Sequence, residues 1–266
     1  MPLTDQQITQ FQQEGYTTAP AFFDPREVQA LQAEVERFKR EGLVRNVATE
    51  GDGETLSDTK ANLQLIPLYD KSDLIRALPF DERVREAITQ LIGTPALLHL
   101  DQMFLKPGQH GVGTSWHQDN AYFKIRDPLR GTAMWIAIHD ATVANGTIHV
   151  VPGSHEEQYE HSRDPNSNHH IYCSVPEERA MPIELAAGGV AFFCYGTAHS
   201  TKANKTEDER AGMAFHFLHR DYVSEARLAD EKPLLTGPDA TGGLSEYGVR
   251  VEGTWSDEID NVLKNA

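Results

Sequence analysis

The chain is predicted to be mainly β, with flanking helices packed on a double-stranded β-helix (a jelly-roll, cupin-like core), on three observations. Apolar residues recur every three or four positions up to about residue 95, a helical period. From about residue 96 the pattern turns to short β-branched and aromatic runs bounded by Gly, Pro or Asn. No repeat, low-complexity tract or linker interrupts the 266 residues. One domain is therefore expected over 1–266, with a helical flank at 1–95, a β core at 96–222 and a C-terminal extension at 223–266.

The flank opens at Thr4, whose spacing to Gln7 has the form of a capping box, with Ile8 and Phe11 leading to a stop at Gly15. Asp24 is an N-cap followed by Pro25 at the first helical position. Val28, Leu31, Val35 and Phe38 then share one face, and Gly42 ends the run. A third helix is expected over 81–92, with Val84, Ile88 and Leu91 together and Gly93 as its stop, while "GDGETLSD" reads as an exposed loop. The strand segments are "ALLHLDQMFLKPG", "GTAMWIAIHDAT", "GTIHVVPGSH", "GGVAFFCYG" and "RAGMAFHFLHRDY". Asn145-Gly146 predicts a hairpin between "HDATVA" and "TIHVV". The polar insertion at 154–170 is expected to be a mobile loop, and past Tyr222 only a short helix near 256–264 is legible.

With 24 Lys and Arg against 40 Asp and Glu, the formal charge of −16 weighs against nucleic acid or an anionic membrane as a partner. Two cysteines, Cys173 and Cys194, cannot form a disulfide framework or a thiolate zinc site and suit a reducing compartment. The N-terminus has no basic start and apolar run, and no stretch approaches the roughly 18 apolar residues of a membrane span. A cytoplasmic protein acting on a small-molecule substrate, as a monomer or small homo-oligomer, is expected.

The chemistry starts at "SWHQDNAYF". On a strand, His117 and Asp119 point the same way. An imidazole and a carboxylate together suit a first-row divalent metal, and His199 in "GTAHST", after an apolar strand, is the candidate third ligand. Such a set leaves coordination positions open, as in non-haem iron(II) oxygenases. Arg210 opens the next strand, where its fork suits the far carboxylate of a dicarboxylic co-substrate, and Thr201 adds a hydroxyl. Bland readings stand beside these: a surface strand pair, a turn histidine, and an arginine solvated in "NKTEDER". Trp135 reads equally as core filling and as a pocket contact. His149 and His155 read as structural, and His110, His161, His169 and His170 as solvated. His216 shares strand parity with Arg210 and so has a route to the interior. Asn145 and Gly146 read as turn geometry, and Cys194 as buried filler.

Taken in order, "TDQQITQFQQEGY", "FLKPG", "WHQDNAYF", Trp135, "ATVANGTIHVVPGSH", "HST" and Arg210 make the chain resemble the phytanoyl-CoA dioxygenase family of iron(II)/2-oxoglutarate oxygenases, to about residue 222. The resemblance implies a double-stranded β-helix and iron on His117, Asp119 and His199. It implies the distal carboxylate of 2-oxoglutarate on Arg210 and Thr201, with Trp135 beside it. Gln102 matches a position reaching the co-substrate from an earlier strand, and Lys60 in "DTKANLQL" one approaching from the helical flank. The implied reaction consumes O2, decarboxylates 2-oxoglutarate to succinate and hydroxylates an unactivated C–H bond. Related halogenases carry alanine where this chain has Asp119, so hydroxylation is favoured. Two alternatives remain: a metal and 2-oxoglutarate binding module without turnover, and a cupin-like metal hydrolase or isomerase.

Overall fold

The structure, a computed structural model, describes residues 2–223 and 232–266. Helix α1 (Asp5–Glu14) is closed by a reciprocal Thr4–Gln7 capping box and stopped by Gly15 in the left-handed region, φ +81°. It leads into strand β1 (Tyr16–Ala19). Helix α2 (Pro25–Arg40) starts where the Asp24 carboxylate accepts from the N–H groups of Arg26 and Glu27. Short strands β2 (Arg45–Asn46) and β3 (Leu63–Leu65) and helices α3 (Asp73–Ala77) and α4 (Glu82–Ile92) complete the N-terminal stretch.

Ten further strands follow among the described residues: β4 (Ala96–Lys106), β5 (Thr114–His117), β6 (Gly131–Ala137), β7 (Ile148–Val150), β8 (Ser162–Arg163), β9 (Ile171–Tyr172), β10 (Met181–Pro182), β11 (Val190–Cys194), β12 (His199–Thr201) and β13 (Arg210–His219). A short helix α5 (Asn120–Phe123) follows β5, and α6 (Leu244–Tyr247) and α7 (Trp255–Asn265) close the chain. The larger sheet runs β1-β11-β6-β13-β4-β3-β2 and the smaller β10-β7-β12-β5, giving the expected jelly roll.

Both faces of the large sheet's central strands are covered, which is why they read as unbroken apolar runs rather than alternating ones. On the outer face Met134, Ile136, Phe192, Met213 and Phe215 meet the apolar stripes of α2 and α4 in one layer. On the inner face Ala133, Trp135, Ala191, Phe193 and Ala214 pack against Ile148 and Val150 of the small sheet. Toward β4 and β3 the inner face carries Gln64, Gln102, Phe104, Lys106, Arg210 and His216, which line a cavity of about 210 Å³ instead of closing the core.

Three sequence expectations change. Asn145-Gly146 does not join a hairpin: β6 lies in the large sheet and β7 in the small one, so the turn carries the chain between sheets. Residues 154–170 are an arm pinned to the 47–49 segment, with Thr49 N–H donating to Asn166 O and Asn168 N–H to Val47 O, each at 3.1 Å. Three strands also arise within the flank read as helical, because β1, β2 and β3 are too short to show a period. The C-terminal helix matches its expectation, and its Trp255 Nε1 donates to buried Glu27 Oε1 at 2.7 Å, tying it to α2. No helix among the described residues is long and apolar enough to cross a membrane.

Candidate metal centre

Strands β5 and β12 are antiparallel neighbours whose register sets His117 directly opposite His199. Both side chains turn into the cavity, their rings 4.2 Å apart between centroids. Asp119 follows as the chain leaves β5 for α5, and its Oδ1 lies 3.7 Å from His117 Nε2 and 3.8 Å from His199 Nε2. One ligand atom from each of the three residues lies within 4.8 Å of the others. Gln118 holds this turn from outside: its amide donates to Glu157 O at 2.8 Å and Gly196 O at 2.6 Å, and accepts from Tyr159 N–H at 3.1 Å.

The protonation states fit a metal. His117 Nδ1 lies 2.8 Å from Ser115 O and His199 Nδ1 3.0 Å from Thr197 O. A carbonyl only accepts, so each Nδ1 carries the hydrogen and each Nε2 keeps its lone pair toward Asp119. Burial, helped for His117 by the neighbouring His199, pushes both imidazoles down to about 4, so they are neutral ligands at neutral pH. Asp119 is 4% exposed, and its Oδ2 is buried without a hydrogen-bond partner among the described residues. Two neutral imidazoles and an under-bonded carboxylate in a buried site are a donor set for a borderline divalent ion.

At the other end of the cavity Arg210, 1% exposed, lies over the Trp135 ring at 5.6 Å and donates to Gly146 O at 2.5 Å. Beside it Lys106 Nζ donates to Thr201 Oγ1 at 2.6 Å and to Lys202 O. Burial lowers the guanidinium to about 10 and, with Arg210 alongside, drives the Lys106 ammonium well below its ordinary range. Neither cation is offset by a carboxylate among the described residues, and Arg210 Nε is buried with no partner. Two buried cations facing one space are costly unless an anion joins them.

The structure thus brings His117, Asp119, His199, Arg210, Thr201, Trp135 and Gln102 to one cavity. It does not bring Lys60 there: that side chain is exposed and lines a separate groove with Thr49, Trp116 and Lys202. The reading from sequence omitted Lys106, although its alternation with Gln102 and Phe104 places all three on one strand face. It also placed two histidines wrongly in solvent. His170 is 8% exposed and lines the cavity, while half-buried His161 accepts the Gln118 N–H at 3.0 Å. Gly146, read as turn geometry, also presents the carbonyl that orients Arg210.

A jelly roll holding two convergent imidazoles and a carboxylate opposite a paired-cation end defines a metal centre of the two-histidine, one-carboxylate class. Comparison with known proteins narrows this. Residues 11–212 match the family model for phytanoyl-CoA dioxygenase (PhyH), and the chain belongs to that family. It is 26% identical over 241 residues to the ectoine dioxygenase of Halomonas elongata, spanning 83% of this chain and 71% of the relative. To the methylphosphonate hydroxylase of Gimesia maris it is 26% identical over 246 residues, 91% of each chain. Among solved structures, EctD from S. alaskensis with 2-oxoglutarate and 5-hydroxyectoine superposes with a TM-score of 0.66 at 21% identity, covering 83% of this chain and 78% of that one. The epimerase SnoN from nogalamycin biosynthesis, in complex with Fe3+, alpha ketoglutarate and nogalamycin RO, gives 0.69 at 22%, covering 88% and 96%. These structural likenesses establish the fold.

Proposed function

We propose that, in this Fe(II)- and 2-oxoglutarate-dependent dioxygenase, His117, Asp119 and His199 hold the iron while Arg210, Lys106 and Thr201 hold the distal carboxylate of 2-oxoglutarate. The observation that carries the assignment is the pair of buried, uncompensated cations across one cavity from three convergent ligand atoms. When bound, iron supplies the oxygen activation that couples decarboxylation of 2-oxoglutarate to succinate with hydroxylation of a C–H bond.

The chain's own work is positioning. The Ser115 and Thr197 carbonyls lock both imidazole tautomers, so the ligand lone pairs are organised before any ion arrives. A dicarboxylate anchored on Arg210 and Lys106 is directed along the cavity toward the histidines, with Trp135 and Ile148 beside it. Phe104, Phe123, Leu100 and Ile66 wall the remaining space against water. A cavity of about 210 Å³ suits a small-molecule substrate alongside the co-substrate, as with relatives named for ectoine and methylphosphonate. A cytoplasmic setting and a monomer or small homo-oligomer complete the reading; two buried free thiols and a charge of −16 support the compartment and argue against nucleic acid.

The test is succinate formation from 2-oxoglutarate that requires Fe(II) and O2, with Arg210→Ala raising the 2-oxoglutarate requirement at near-normal metal affinity. Tight co-substrate binding without succinate would favour a binding module. Turnover supported by zinc and indifferent to Arg210→Ala would favour the hydrolase or isomerase alternative.

A further inference from the structure

Gln64, Gln102 and His216 form a row along the cavity wall that ends at Asp119. Gln64 Nε2 lies 2.9 Å from Gln102 Oε1, and Gln102 Nε2 lies 3.2 Å from His216 Nε2. His216 Nδ1 faces Asp119 Oδ2 at 3.6 Å, and neither atom has a hydrogen-bond partner. Amide orientation and imidazole tautomer are not free choices here, because the carboxylate decides them in turn. The Asp119 carboxylate, 3.6 Å away, is too far for a hydrogen bond, but its negative charge favours the hydrogen of His216 on Nδ1, so Nε2 becomes an acceptor. An acceptor there requires the amide NH2 of Gln102, which turns the Gln102 oxygen toward Gln64. That oxygen requires the NH2 of Gln64, which leaves Gln64 Oε1 as the open end. It is a buried acceptor without a partner, on a residue 1% exposed.

Ile66, Leu100 and Phe104 line the same cavity as this open end, and the Lys and Arg side chains lining it, Lys106 and Arg210, are those assigned to the co-substrate. Burial keeps the nearby His170 imidazole well below its ordinary range and hence neutral. Arg163, close to His169, spends its guanidinium on the carbonyls of Gly53 and Asn168, while Arg45, opposite Gln64 on β2 and also acting on His169, is an exposed cation at the sheet edge.

We propose that the substrate donates an N–H or O–H to Gln64 Oε1, while His216, oriented by the same row, is a positioning residue for Asp119. This deepens the oxygenase reading and rests on it. A phosphonate or carboxylate oxygen presented at Gln64 meets another acceptor, whereas an amide, amine or alcohol completes the row.

The test uses the full chain loaded with Zn(II), which has no redox chemistry, and 2-oxoglutarate. It is titrated by calorimetry with N-methylacetamide, N,N-dimethylacetamide and methylphosphonate. The secondary amide should bind about tenfold more tightly than the tertiary one, equivalent to about 1.4 kcal/mol. Methylphosphonate should not compete with it. Gln64→Leu should bring the two amides within about twofold of each other, a change that packing alone would not make. His216→Phe should lower Co(II) affinity by about 10- to 100-fold, while Gln64→Leu leaves that affinity close to the unaltered value. Equal amide affinities, no binding of either amide, or preference for methylphosphonate in the unaltered protein overturns the inference and leaves the oxygenase reading standing. Failure of 2-oxoglutarate itself to bind overturns that reading, and the inference falls with it.

Discussion

Lys106→Met separates the stability of the empty site from its affinity for the co-substrate, because the first should stay nearly unchanged while the second falls. The side chain is 1% exposed, its Nζ donates to Thr201 Oγ1 at 2.6 Å, and its neighbouring charge is the like-signed Arg210. Methionine keeps roughly the length and removes the charge. Loss of the bonds to Thr201 and to the Lys202 carbonyl costs about 1 kcal/mol each. Removing a buried cation with no counter-ion returns a similar amount, since such charges are worth several kcal/mol against folding. Ligand-free stability should therefore stay within about 2 kcal/mol of the original. The affinity for 2-oxoglutarate instead loses a hydrogen bond to a charged group, about 1.5–3 kcal/mol, or roughly 10- to 150-fold in Kd. The pH dependence has a definite sign. Folding lowers the lysine's pKa below the unfolded value of about 10.4. Between those two values the unfolded chain holds a proton that the native one lacks, so ligand-free stability rises with pH through that window. Lys106→Met should remove this rise. Calorimetric titration of 2-oxoglutarate into Co(II)-loaded protein, with thermal melts at two alkaline pH values, measures both effects. A Kd within twofold of the unaltered protein would refute the placement of the co-substrate carboxylate.

Replacing His117 or Asp119 by alanine should abolish both succinate formation and measurable metal binding; turnover at half the original rate would contradict the ligand assignment. His117, His199 and His216 are each held at about 4 by burial, below the unfolded value of about 6.5. The metal-free protein should therefore lose stability as pH falls from about 6.5 toward 4, and a divalent metal should move that loss to lower pH. A Tm unchanged across the window in metal-free melts would count against the buried, neutral imidazoles. Gly146→Ala places a Cβ 2.2 Å from Lys202 O at a residue with φ +81°, a conformation costing about 1–2 kcal/mol for alanine. It should shift the carbonyl that Arg210 donates to, raising the KM for 2-oxoglutarate severalfold while metal affinity holds; an unchanged KM would show that Arg210 is oriented without it.

What could be read from the chain follows physical locality. The candidate ligands were legible as a pattern, a His-x-Asp pair and a later histidine delivered by an apolar strand, although the strand expected to carry both His117 and Asp119 ends at His117 and Asp119 turns inward just before α5. The central strands were legible because burial on both faces leaves continuous apolar runs. Asn145-Gly146 misled because a tight turn has the same local chemistry whether the chain returns to its own sheet or crosses to the facing one. The 154–170 arm misled because its composition is that of a solvated loop, whereas its bonds to Val47 and Thr49 are long-range. Lys106 was hidden by its type, since a lysine at the end of an apolar strand ordinarily reaches for water. Here the Thr201 hydroxyl and the Lys202 carbonyl, just past the end of β12, hold it in. Lys60 was placed by resemblance alone, with no periodicity behind it, and the fold sends it to another groove.

Anomalous diffraction from crystals grown with Co(II) tests the central claim most directly. A single strong peak should lie about 2 Å from Nε2 of His117, Nε2 of His199 and a carboxylate oxygen of Asp119 at once. A peak bound elsewhere, or one that leaves out either imidazole, would contradict it.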